Sequence, residues 1–319
     1  MKLTGLIIKL IVIMVIILFI AAAPVQCFLT ETVTENDEEV DKEGFLLTGE
    51  YIYENPAEGV WRYNSSSLRI EIKRFYNVAA NLTWTEAEIF SKDHETFRMV
   101  PNDKTKWMKS QDKPTTIALK NQVVFAVNSD FAHMRMSRKM TPGIIIRDGK
   151  IITNKTKKAN ASGFPNLDTL VLFPDGDMRV FLSNEHTAAE YLEMGAVDVL
   201  AFGPYLIRDG QLNEVGIKKY GNSKAPRTAI GMVEKGHYLA MMLEGRHDKS
   251  KGAGVSFLAM KLFEKGCVTA MNLDGGQTAT MLFMGKQIIR VGKSASDTAL
   301  ARQTAELLGI GTSRSIEFK

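Results

Sequence analysis

Five apolar stretches of this chain stop at residues able to do chemistry. "QVVFAVNSDF" (122–131) closes on Asn128 and Asp130, with His133 just beyond. "VDVLAF" (197–202) closes on Gly203 and Pro204. "RTAIGMVEKGHYLAMMLEG" (227–245) reads as two strands: the first opens on Arg227 and the second ends at Glu244 and Arg246. "VTAMNL" (268–273) runs into Asp274, Gly275 and Gly276. Strand ends of one sheet can converge on a single rim, where ligands bind. The planar fork of Arg227 suits a phosphate or carboxylate held by two hydrogen bonds, or else a surface ion pair. Gly275 and Gly276 let backbone N–H groups approach an anion closely, or simply make a turn. His133 sits among Arg135, Arg138 and Lys139 in what also reads as a solvated basic segment. His237 falls in a turn and reads as exposed and structural, and His247 is uncommitted. Zinc-type pairs, a Ca²⁺ loop, a P-loop and a Gly-x-Ser-x-Gly elbow are all missing from the sequence. A divalent cation near Asp130 or Asp274 stays open.

The elements that must position these residues are mostly strands. "SLRIEIKRFY" (67–76) alternates apolar and polar residues, and "NLTWTEAEIF" (81–90) does so in part. Hairpin turns are expected at Asp148-Gly149 and at Pro174–Asp177. Two helices are expected, Thr187–Met194 stopping at Gly195 and Ser256–Lys265 stopping at Gly266. Each feeds a strand that carries site candidates. Many strands with few helices predict an α+β domain: a mixed β-sheet core with flanking helices.

Composition sets the frame. The 319 residues are 45% hydrophobic and 24% charged, as in ordinary globular proteins, and a net charge of +4 without a basic cluster argues against nucleic acid. Cys27 and Cys267 give no disulfide framework, and neither reads as chemically active. Residues 1–28 carry Lys2 and Lys9 and then an unbroken apolar run, Leu10 to Ala23. They read as an uncleaved single-pass anchor, with a cleaved export signal as the alternative. Either places the body of the protein outside the cytoplasm and makes the membrane a partner. Residues 29–60 read as an acidic linker, with ordered structure starting near Trp61 and one domain running over 61–319. Sequons at Asn64, Asn81, Asn154 and Asn160 matter only in a eukaryotic secretory host.

The blocks "AVNSDF", "GPYLIRDG", "PRTAIG", "EGR" and "NLDGGQTATM", in this order and spacing, resemble the phosphodiester glycosidase family over about Gln122–Gly311. The family includes exported bacterial proteins described as exopolysaccharide-related. The resemblance matches its Asn-Gly-x-Phe block to Asn128–Phe131, its Gly-Pro to Gly203-Pro204, and its Arg-Thr-Ala-Ile-Gly to Arg227, Thr228 and the three residues after them. Its Asp-Gly-Arg falls on Glu244–Arg246, with Glu in place of Asp. Its Asp-Gly-Gly-Gly-Ser falls on Asp274, Gly275, Gly276, Gln277 and Thr278, with Gln277 in place of a glycine. Arg302 matches an arginine near the C-terminal strand. The resemblance implies an extracytoplasmic, membrane-anchored hydrolase of sugar-1-phosphodiester linkages in a glycan or envelope polymer. Asp274, Glu244 and Asp130 are then its catalytic carboxylates, Arg227 and the Gly275-Gly276 amides its phosphate clamp, and Asn128 and His133 its sugar or phosphate contacts. It implies no organic cofactor. The rival expectations are a non-catalytic carbohydrate- or phosphate-binding protein, and a scaffold of exopolysaccharide or cell-envelope assembly.

Overall fold

A computed structural model describes residues 39–92, 95–107, 109–130, 143–155, 166–291 and 300–318. The leader and His133 lie outside them. Val40–Lys319 forms one compact unit. Among the described residues the strands make three sheets. The nine-stranded sheet runs, in spatial order, Glu50–Asn55, Val60–Ser65, Leu68–Asn77, Leu82–Ser91, His237–Leu243, Arg227–Glu234, Thr269–Asn272, Tyr205–Arg208 and Gln211–Leu212. One five-stranded sheet runs Met178–Phe181, Asp168–Leu172, Asp198–Phe202, Gly143–Arg147 and Lys150–Lys155. The other runs Lys286–Gln287, Met281–Phe283, Val123–Asn128, Glu306–Thr312 and Arg98–Pro101. Neighbouring strands within these sheets pair antiparallel, and an isolated parallel bridge joins Gly245 to Val291. The chain is thus α+β and sheet-rich, with few helices.

Burial follows from pattern. Leu68, Ile70 and Ile72 alternate with polar residues because only one face of that strand meets the core. Val123–Asn128 is buried at every position, since both faces of its sheet are covered. Residues of all three sheets, among them Trp61, Phe125, Leu200, Met271 and Phe283, share one core. Each sheet also carries a helix on its other face. Val255–Glu264 sets Leu258 and Leu262 against Leu239 and Met241. Ala188–Glu193 sets Tyr191 against Ile146 and Val199. Pro114–Lys120 sets Ile117 against Ala126 and Leu307.

The expected hairpins and both expected helices are present. Thr187 caps its helix in a reciprocal capping box with Glu190, and Gly195 ends it at φ +92°. The second helix starts earlier than expected, because Gly254 and not Ser256 precedes its first turn. Ordered structure also begins upstream of Trp61. Glu50–Asn55 pairs along its full length with Val60–Ser65, so the end of the acidic stretch is sheet and not linker. Its half-buried positions show no clean alternation, which hid the strand in the sequence. Among the described residues no helix is long and apolar enough to cross a membrane. Cys267 is buried, and burial pushes its thiol up to about 12, in keeping with a packing role.

Candidate functional site

The site follows from one crossover. Arg227–Glu234 lies between His237–Leu243 and Thr269–Asn272 and is antiparallel to both. The two outer strands therefore point the same way, and helix Val255–Glu264 carries the chain from one to the other. Their exits, Glu244 and Asp274, fall on the rim where Arg227 enters. Tyr205–Arg208 runs antiparallel to Thr269–Asn272, so it delivers Gly203 there; Asn272 Nδ2 donates to Gly203 O at 2.8 Å. Val123–Asn128 reaches the same rim from another sheet.

Asn128 is the knot between those sheets. Its Nδ2 donates to Asp274 O at 2.8 Å and to Ser129 O at 3.1 Å. Its Oδ1 accepts from the Thr228 hydroxyl at 2.7 Å and from Thr280 N–H at 2.9 Å. Asn128 and Thr228 are fully buried. All four hydrogen-bonding positions of the Asn128 amide are thus used inside the protein, which leaves it none for the sugar contact the sequence had suggested, and the Thr228 hydroxyl is committed as a donor to Asn128.

Asp274 is different. It keeps part of its surface open. Burial around it pushes its pKa from 3.8 up to about 6; the Thr278 hydroxyl, the Gly275 N–H and the Arg302 charge pull it down, and Asp130 pushes it up. Arg302 is tied to the same turn, its N–H donating to Gln277 O at 2.9 Å. Its Nε is buried without an acceptor. Gln277 is exposed and Thr278 buried. Arg246 is exposed, at φ +67°, and its guanidinium lies over Gly276. Asp274 is thus a half-open acid with the arginines Arg302 and Arg246 beside its turn.

Two expected anion contacts are corrected. The Gly275 N–H donates to Asp274 Oδ1 at 2.8 Å, and the Gly276 N–H donates to Pro226 O at 2.9 Å, so neither amide is left for a phosphate. The glycines serve space. A Cβ on Gly275 would stand 2.8 Å from Pro226 O, and one on Gly276, at φ +63°, would stand 3.2 Å from Arg246 Nη1. Gly275→Ala is expected to destabilise the fold by about 1–3 kcal/mol, because the clash is with backbone that must shift; urea unfolding checks this. Arg227 is also engaged within the protein, and only its Nε is left without an acceptor. Its Nη1 donates to the Tyr220 hydroxyl at 3.0 Å, and its Nη2 donates to Ser223 O at 3.0 Å and Oγ at 3.1 Å. The guanidinium stacks 5.0 Å from the Tyr220 ring. The fork braces the 220–223 segment.

Glu244 reaches the rim, but its carboxylate is buried. Oε2 is 3.3 Å from His247 Nε2, and Oε1 accepts from Arg290 N–H at 3.1 Å and lies 3.9 Å from Arg74 Nε. His237 is structural but half-buried rather than exposed as expected: it meets Glu88 at 2.9 Å and stacks on Phe90. Asp130 is buried behind Asp274 and accepts from Ala201 N–H at 3.0 Å.

The sequence reading missed what holds Asp130. Arg147 is fully buried, 3.7 Å from Asp130 and in a two-point pair with Glu306, with Nε to Oε2 at 2.9 Å and Nη2 on Oε1. It also donates to Ile146 O at 2.8 Å and to Val199 O. Burial opposes its charge, but Glu306, Asp130 and Asp198 outweigh that and hold it protonated. Asp168, also missed, lies under Gly203 and accepts from Tyr205 N–H at 3.0 Å; burial raises its pKa. The available signal was a charge inside an apolar run, as in "GIIIRDG" and "AELLGIG". Among the described residues no group of three or more His, Cys, Asp or Glu could hold a metal ion.

A family model described as phosphodiester glycosidase matches residues 121–311, more than half the chain. The chain is 30% identical over 148 residues to the SPbeta prophage-derived uncharacterized protein YomE of Bacillus subtilis (strain 168), a match covering 46% of this chain and 22% of that protein. The chain therefore spans only about a fifth of that curated relative. Its fold is similar to the catalytic domain of zebrafish N-acetylglucosamine-1-phosphodiester alpha-N-acetylglucosaminidase, auto-inhibited by its pro-peptide, with TM-score 0.61 and 18% identity over 79% of this chain and 85% of that one. It is also similar to a hypothetical protein from Synechocystis, with TM-score 0.51 and 12% identity over 77% and 62%.

Proposed function

The chain belongs to the phosphodiester glycosidase family, and on that premise we propose that it hydrolyses a sugar-1-phosphodiester by breaking the C1–O bond. What carries the reading is Asp274: a half-open carboxyl with its pKa raised to about 6, backed by Asp130 and flanked by Arg302 and Arg246. The departing phosphate monoester is already a good leaving group, so the reaction needs a cation at the phosphate more than a strong acid. Arg302 and Arg246 take the place that Arg227 was expected to fill. Asp274 then works ionised, steadying the positive charge that develops at C1 or activating water. Accordingly kcat/KM should rise with pH through about 6, following the free-enzyme pKa of Asp274. The apolar, Lys-bearing leader supports activity outside the cytoplasm, on a glycan or envelope polymer.

The test is hydrolysis of an N-acetylhexosamine 1-(methyl phosphate) diester, and of the hexose analogue, in ¹⁸O-water, followed by ³¹P NMR and mass spectrometry. The label is expected in the sugar. Label in the phosphate would make the protein a phosphodiesterase and overturn C1–O cleavage. Binding of the diester without turnover across the pH range would favour a carbohydrate-binding protein instead.

A further inference from the structure

An apolar groove begins one arginine side chain away from the Asp274 turn. Arg227 lies against that turn, where a Cβ on Gly275 would stand 3.9 Å from its Cδ, and its fork ends on Tyr220 and Ser223. The two residues between them, Gly221 and Asn222, line the groove. It encloses about 430 Å³ between helices 214–220 and 255–264, and an adjoining space of about 470 Å³ shares Asn222, Ser256 and Met260 with it. Small-molecule sites hold roughly 300–1,000 Å³ and are mostly apolar. Leu212, Ile217, Ala259 and Met260 make the wall apolar. The charged side chains are exposed, as Glu214 and Lys218 are, or paired, as Lys261 is with Glu264 at 3.3 Å. Helix 214–220 buries none of its residues, and Met260 on the facing helix is 46% exposed. Apolar surface gathered in one groove, unlike single scattered residues, marks a place for a ligand.

A sugar-1-phosphodiester has a second alcohol beyond its phosphate. With C1 and the phosphate at Asp274, Arg302 and Arg246, that alcohol has to leave the rim, and the groove past Arg227 offers an apolar path. We propose that the groove binds this second alcohol and that it is a long aliphatic one. The inference rests on the hydrolase reading. Water then gives its hydroxyl to C1 and its remaining proton to the alkyl phosphate, which keeps the electron pair of the broken C1–O bond.

The experiment measures hydrolysis by the full chain of 1-(methyl phosphate) and 1-(decyl phosphate) diesters of N-acetylhexosamine and of hexose, the decyl compounds below their micelle-forming concentration. Each buried methylene is worth about fourfold in affinity. Three or four of them in the groove should raise kcat/KM for the decyl diester about 100-fold. The gain should fall in KM with kcat nearly unchanged, because the alkyl chain is held alike in the ground and transition states. Met260→Glu, on the exposed side of its helix, should cut the decyl-to-methyl ratio about tenfold, the worth of one or two methylene contacts. The wild-type ratio decides without any variant. A ratio near one, with the methyl diester turned over, would overturn the proposal and leave the hydrolase reading standing. Turnover of neither diester in either sugar would overturn the hydrolase reading and this proposal with it. A decyl preference undiminished in Met260→Glu would place the chain elsewhere and overturn the assignment to the groove. So would a ratio near one in a dimer that Met260→Glu dissolves, which would give the groove to a second copy.

Discussion

Asp274→Asn is expected to lower kcat/KM on a sugar-1-phosphodiester by about 10⁴-fold, the scale seen when a reacting side chain is removed, and at the same time to make the protein more stable at pH 7. The second half follows from linkage. The carboxyl has a pKa of 3.8 when unperturbed and about 6 in the fold. Between those values the native state binds more protons than the unfolded chain, so stability falls as pH rises from about 4 to 6. Above that window the ionised, desolvated Asp274 costs on the order of 2–3 kcal/mol. Asparagine does not ionise, and its amide oxygen still accepts from the Gly275 N–H. Urea unfolding should therefore show a stabilised variant at pH 7 and little difference from wild type below pH 4. A variant destabilised equally at both pH values would make Asp274 a structural residue of the turn, and any loss of turnover would then be indirect.

How much of this was legible in the sequence differs residue by residue. The strand ends at Asn128, Arg227, Glu244 and Asp274 were correctly brought to one rim, because alternation and turn chemistry are local signals and the helix 255–264 fixes the strand order by a single crossover. What each side chain does on that rim was not legible. Asn128 and Asp274 look alike as polar residues ending apolar strands, yet Asn128 is satisfied on four sides inside the protein and Asp274 is not. That distinction is made by Thr228 and Thr280, far away in sequence. Likewise "DGG" reads as an anion cradle until Pro226 is seen to take one amide and Asp274 itself the other. The partners of Asp130 come from two further strands, at Arg147 and Ala201, and no spacing rule connects them.

The Arg147–Glu306 pair carries the next largest expected effect. Both side chains are fully buried, so the pair gains no help from water, and removing either partner strands the other's charge in the core. Glu306→Gln, which keeps size and shape, and Arg147→Met should each cost about 3–5 kcal/mol. The two are not equivalent. Arg147 also lies 3.7 Å from Asp130 and donates to Ile146 O and Val199 O, so its loss leaves two buried carboxylates and two carbonyl oxygens without their cation. Glu306→Gln leaves Arg147 still facing Asp130 and should be the milder. Arg147→Met combined with Glu306→Leu removes both charges together and should recover much of the loss, since matched apolar replacements of buried pairs are often near neutral. Chemical denaturation of the two single variants and the double variant closes this cycle. Single costs below about 1 kcal/mol, the range of exposed pairs, would show that the pair is solvated in the working protein and does not hold Asp130 behind Asp274.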